Sequence, residues 1–77
     1  MTNEGAVRWF TEHGQPRYLN SIERIRAEIE SLNMFKHIKP RRADAYLNRI
    51  AFLEVKIAEI AQEAYDRYDD YKTDMLE

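Results

Sequence analysis

The chain reads as an all-α protein: an antiparallel, coiled-coil-like helical hairpin with a short N-terminal helix packed on its long C-terminal helix. Three observations predict this. From Ala43 to Asp74 there is neither proline nor glycine, and Ala43, Tyr46, Ile50, Leu53, Ile57, Ile60 and Ala64 recur at alternating steps of three and four. Upstream, Tyr18, Ile22, Ile25, Ile29 and Leu32 follow at steps of four, three, four and three, a heptad seam. The two stretches are separated by a proline, and no segment alternates with period two for long enough to make a strand.

The expected helices cover about 3–13, 16–35 and 41–74, in one domain spanning residues 1–77. Thr2 or Asn3 suits the N-cap of the first, with Glu4 near its positive end. Ala6, Val7 and Phe10 share a face with Trp9 at its edge, and Gly14 is placed to end the helix. A helix of about ten residues is unstable alone in water, so its aromatics are expected to anchor it to the rest of the chain.

Pro16 suits the first turn of the second helix, where its missing N–H costs nothing. Arg24 with Glu28 and Arg26 with Glu30 have the spacing of surface ion pairs. Asn33 is expected to begin the helix end, with Met34 and Phe35 folding over the tip and Lys36 to Arg42 forming the linker. Pro40 pushes Lys39 out of the helical region. So short a connection makes its flanking helices antiparallel neighbours, with Leu32 near Tyr46, Ile25 near Leu53 and Tyr18 near Ile60.

The third helix, about thirty residues at 1.5 Å each, is roughly 45–50 Å long, more than the second can cover. Ala61, Ala64, Tyr65, Tyr68, Tyr71 and Met75 extend past the expected cover, and Leu47, Ala51, Ala58 and Ala61 widen the apolar arc beyond a two-helix seam. Two occupants are expected for this surplus, the folded-back first helix and a second copy of the chain, so a homodimer through the long helix is anticipated. The size supports this, since 77 residues lie near the limit at which one core suffices without a staple or a partner subunit.

Composition narrows the function. There is no cysteine, hence neither disulfide nor thiolate site, and only His13 and His37 could offer imidazole. No glycine-rich phosphate loop or Glu-x-x-His pair is present. Glu59 with Glu63 and Asp66 with Asp70 read as solvated surface. No enzymatic activity, cofactor or metal is expected. The start of the chain lacks the features of a signal peptide and the longest apolar run is Ile50–Leu53, so a cytoplasmic protein without a membrane span is expected.

Two surfaces remain. The net charge is only −2, but Lys36, Lys39, Arg41, Arg42 and Arg49 cluster about the linker against the lone Asp44, a candidate for phosphate contacts. Farther on, Tyr65, Asp66, Tyr68, Asp69 and Tyr71 make an acidic-aromatic segment. Tyrosine offers large contact area at low entropic cost, so this segment is a candidate protein-binding face. Its alternative reading is that the tyrosines receive the first helix and extend their hydroxyls to water. A binding protein, such as an inhibitor or adaptor of another protein, is the favoured reading, and a nucleic-acid-binding or transcription-regulating accessory protein the runner-up.

Tyr18-Leu19-Asn20-Ser21-Ile22-Glu23-Arg24-Ile25, Glu28-Ile29-Glu30-Ser31-Leu32 and Leu53-Glu54-Val55-Lys56-Ile57 together resemble the N-terminal helical hairpin of small phage-encoded late-operon transcription regulators. The resemblance runs from about Tyr18 to Tyr68 and does not include the helix-turn-helix into which such regulators continue. It implies a phage or mobile-element origin and a role played by binding, as in short phage proteins that inhibit a host factor.

Overall fold

A computed structural model describes residues 1–76, with side chains through Asp74; Met75, named above among the surplus, has its side chain outside the described set. Among the described residues three α-helices follow one another: α1 (Asn3–Glu12), α2 (Arg17–Ile38) and α3 (Ala43–Leu76), with a 3₁₀ turn at Pro40–Arg42 before α3. The chain is all-α, with the short N-terminal helix packed on the long C-terminal one. It forms a rod of 57 × 19 × 14 Å.

Both ends of α1 are fixed by side-chain and backbone chemistry. The Thr2 hydroxyl accepts the Gly5 N–H at 3.0 Å, capping the N-terminus. At the other end Gly14 takes φ +79°, the Gln15 N–H reaches the Phe10 carbonyl at 2.8 Å and the Gly14 N–H reaches the Thr11 carbonyl at 3.3 Å. Those two bonds form the Schellman stop that a left-handed glycine permits. The chain then reverses and enters α2 at Pro16, whose carbonyl accepts the Asn20 N–H.

The break before α3 falls at Lys39, whose φ −125° and ψ 75° are those of a residue restrained by a following proline. The helix before it is longer than expected. α2 continues through Lys36, His37 and Ile38, so Met34 and Phe35 lie on its surface and do not fold over the tip. Lys36 and His37 occupy the last turn, where positive charge complements the helix dipole and favours the extra turn over a stop at Asn33.

The main core lies at one end of the rod. Ala6, Val7 and Phe10 of α1 pack with Tyr18 and Ile22 of α2 and Ala61 and Ala64 of α3, all buried. Trp9, Leu19, Ile57, Ile60, Tyr65 and Tyr68 close around them. Toward the tip only two helices meet. Ile50 and Leu53 are buried there, whereas Ile25, Ile29, Leu32 and Tyr46 are half-buried, so the expected seam is present but its tip half is shallow.

The antiparallel register is close to expectation, with Glu28 meeting Arg49 at 3.0 Å, one residue off the predicted pairing. That bond replaces the predicted pairing of Glu28 with Arg24. Among the described residues the ion pairs are Arg49–Glu28 and Lys56–Glu59, and neither predicted helix-surface pair forms.

Candidate functional site

The acidic-aromatic segment receives α1. The Trp9 ring stands edge-on to Tyr68 with centroids 5.2 Å apart and tilted against Tyr71 at 5.3 Å. It also meets Phe10 edge-on at 5.1 Å and stacks on His13 at 4.0 Å. His13 Nδ1 donates to the Trp9 carbonyl at 2.7 Å, which holds the imidazole flat against the indole. Tyr65 and Tyr68 are therefore half-buried beneath α1, and Tyr71 lies at its rim. This is the arrangement of the alternative reading, in which the tyrosines receive the first helix, because α1 runs along the segment that α2 does not reach.

The carboxylates among them behave differently. Asp66, Asp69 and Asp70 are exposed. The Gln62 amide donates to Asp66 at 3.0 Å while its carbonyl accepts from Asn3 at 3.1 Å, pinning the start of α1 to α3. Nearby, the Arg17 guanidinium donates to the Tyr18 hydroxyl at 2.8 Å, a bond that raises its pKa above the ordinary arginine value and keeps it charged. At this end of the rod, aromatic area has gone into the fold and charge has stayed in water.

The basic cluster is divided by the structure. Lys39, Arg41 and Arg42 sit exposed on the turn, and Lys36 is half-buried on the last turn of α2. Arg49 is committed elsewhere, donating to Glu28 and lying over the Phe52 ring at 5.1 Å.

A third surface was only partly anticipated. Met34, Phe35, Ile38, Leu47, Phe52 and Val55 are all 46–66% exposed, and all lie in the half of the rod that α1 leaves uncovered. They divide between two sides of the hairpin. On one, Phe35 stands two turns along α2 from Glu28, and Phe52 stands one turn along α3 from the Arg49 that Glu28 binds. Lys56 also approaches the Phe52 ring, at 5.7 Å, so this aromatic side is rimmed by cations.

On the other side, Leu47, Ala51, Val55 and Ala58 form an exposed stripe along α3. It leads into an open groove of about 570 Å³ where α1 begins, between Val7 and Arg8 of α1, Leu19 and Arg26 of α2, and Glu54 and Ala58 of α3. The widened arc at Leu47, Ala51 and Ala58 was the signal in the sequence. Nothing in the heptad pattern marked Phe35 and Phe52, which fall outside the seam.

Among the described residues no group of three or more His, Asp or Glu side chains is placed to hold a metal ion. No helix among them is long and apolar enough to cross a membrane. No protein-family model, curated protein or solved structure matches this chain.

Proposed function

We propose that this is a small non-enzymatic protein that acts by binding another protein, as an inhibitor or adaptor does, and that it does so through the aromatic side of the tip half. The observation that carries this reading is the pair Phe35 and Phe52, 48% and 50% exposed on one side of a hairpin that no third helix covers. Apolar area left in water on so small a chain marks a contact surface. Aromatic residues with a neighbouring arginine are the groups that dominate binding energy when a partner buries them. Both helices are already formed, so a partner would order little beyond side chains. Its complementary surface would be an apolar groove with an acidic rim, matching Arg49 and Lys56.

The test is photocrosslinking in the native host with benzoylphenylalanine placed at Phe52 or, at the far end, at Tyr71. Covalent adducts to a protein are expected from position 52, and they should vanish when Phe35 is changed to Asp in a chain of unchanged helicity. Adducts from position 71 alone would show that the acidic-aromatic segment is the binding face after all.

The runner-up, nucleic-acid binding, is supported by the joint exposure of Lys39, Arg41 and Arg42 on the turn. It is weakened by the engagement of Arg49 with Glu28. Retardation of DNA or RNA that falls steeply with salt and disappears in the Arg41→Ala, Arg42→Ala chain would favour it.

A further inference from the structure

The stripe Leu47, Ala51 and Ala58, flanked by Val55 on the side toward Phe52, lies along another face of α3 and poses a separate question. At about 100° per residue, Leu47, Ala51 and Ala58 fall within roughly 40° of arc, with Val55 at its margin. All four are exposed. Farther along α3 the flank next to this stripe is occupied by α1, which helps to bury Ala61. The uncovered stripe thus borders a helix-packing surface whose distal part already has its helix.

We infer that a second copy of this chain covers the stripe, with the two α3 helices packed antiparallel about a twofold axis near residue 53. Two independent features select this occupant and this direction. The first is shape. Antiparallel pairing about residue 53 sets Leu47 against Ala58 of the second copy and Ala51 against its Val55. Each contact then joins a larger side chain to a smaller one, the condition for interdigitation. Parallel pairing would set Leu47 on Leu47 and Ala51 on Ala51, leaving crowded and empty levels in alternation.

The second feature is charge. Residues 23–57, the tip half, carry eight basic and five acidic side chains, a net +3; residues 1–22 with 58–76 carry four basic and eight acidic, a net −4. A rod so polarised repels a parallel copy and attracts an antiparallel one. In the proposed register Lys39 and Arg41 come level with residues 65–67 of the second copy, beside its Asp66 and within a turn of its Asp69. All four of those side chains are exposed in the single chain. The acidic segment thereby gains a basic partner surface, the hairpin tip of the same protein. Core depth agrees: among the described residues no large side chain is fully buried, as expected for a fold that completes its packing by association.

The chain has no native cysteine, so single cysteines report pairing directly. Chains carrying Ala51→Cys and Val55→Cys would be mixed under mild oxidation, while wild type is followed by sedimentation equilibrium over a range of concentrations and salt. The expected results are a reversible dimer, a mixed 51–55 disulfide in excess over both self-disulfides, and weaker association in 1 M salt than in 50 mM. Val55→Asp and Ala51→Glu, both at exposed positions, should each weaken association at least tenfold with helicity unchanged.

Charge reversal at Lys39 and Arg41 should weaken the dimer, and adding Asp66→Lys with Asp69→Lys should restore it. A wild type that stays monomeric at every concentration, or self-disulfides that dominate the mixture, would overturn the inference. Phe35→Asp should leave the dimer intact, so loss of the outside partner and loss of the dimer are read separately.

Discussion

Replacing Phe10 by Ala tests the docking of α1, on which the partial burial of Tyr65 and Tyr68 depends. Phe10 is 6% exposed, and its ring lies 5.1 Å from Trp9 and 5.2 Å from Tyr18. Removing a ring buried to this extent forfeits its transfer free energy and leaves a cavity between two aromatic neighbours, together about 3–5 kcal/mol. At about 0.05–0.15 kcal/mol per residue, a chain of 77 residues has a total stability of about 4–12 kcal/mol. The substitution should therefore remove a large fraction of it.

Urea unfolding read by far-UV circular dichroism measures the loss. With a slope near 1 kcal/mol per molar for so small a protein, the midpoint should fall by about 3 M or unfold the chain outright. Trp9 is the only tryptophan and lies on α1, so its fluorescence reports docking separately from helix content. In wild type the two probes should give coincident transitions at fixed protein concentration. In Phe10→Ala the tryptophan signal should shift toward that of solvated indole before helicity is lost, because α2 and α3 retain Ile50 and Leu53 between them. A loss below about 1 kcal/mol with unchanged Trp9 emission would refute the docked arrangement.

Two further substitutions probe other parts of the fold. Gly14→Ala places a Cβ where no atom lies within 4 Å, yet φ is +79°, so the cost is backbone strain alone. It should amount to about 1–2 kcal/mol by urea unfolding, and Gly14→Asn should cost less. Leu53→Ala, at a residue 4% exposed, should cost about 2–5 kcal/mol. Ile25→Ala, at the facing half-buried position, should cost clearly less, and equal losses would show that the tip half is packed as deeply as the α1 end.

Much of the secondary structure was legible because it rests on local chemistry. Thr2 caps, Gly14 stops and Pro40 breaks the helix at Lys39 through interactions that span a few residues, so each could be read from its neighbours. The seams of α2 and α3 follow from spacing, and their antiparallel register from the short turn. The last turn of α2 is less legible, since Asn33 is a weak stop signal and the basic residues after it favour continuation.

Spacing and local chemistry are enough to specify an all-α hairpin with more apolar surface on α3 than α2 can cover. How that surplus is divided depends on where the folded chain brings α1. Periodicity shows that a face is buried without showing what buries it, and tyrosine suits a core rim as well as an interface because its ring is apolar and its hydroxyl is wet. The three-residue reversal at His13–Gln15 turns α1 back toward the far end of α3, and that direction places Trp9 on Tyr68 and Tyr71, buries Ala61 and Ala64, and leaves Leu47, Ala51, Phe52 and Val55 in water. Distance along the rod, which a linear sequence does not encode until the chain folds back, settled which surface became core and which stayed free.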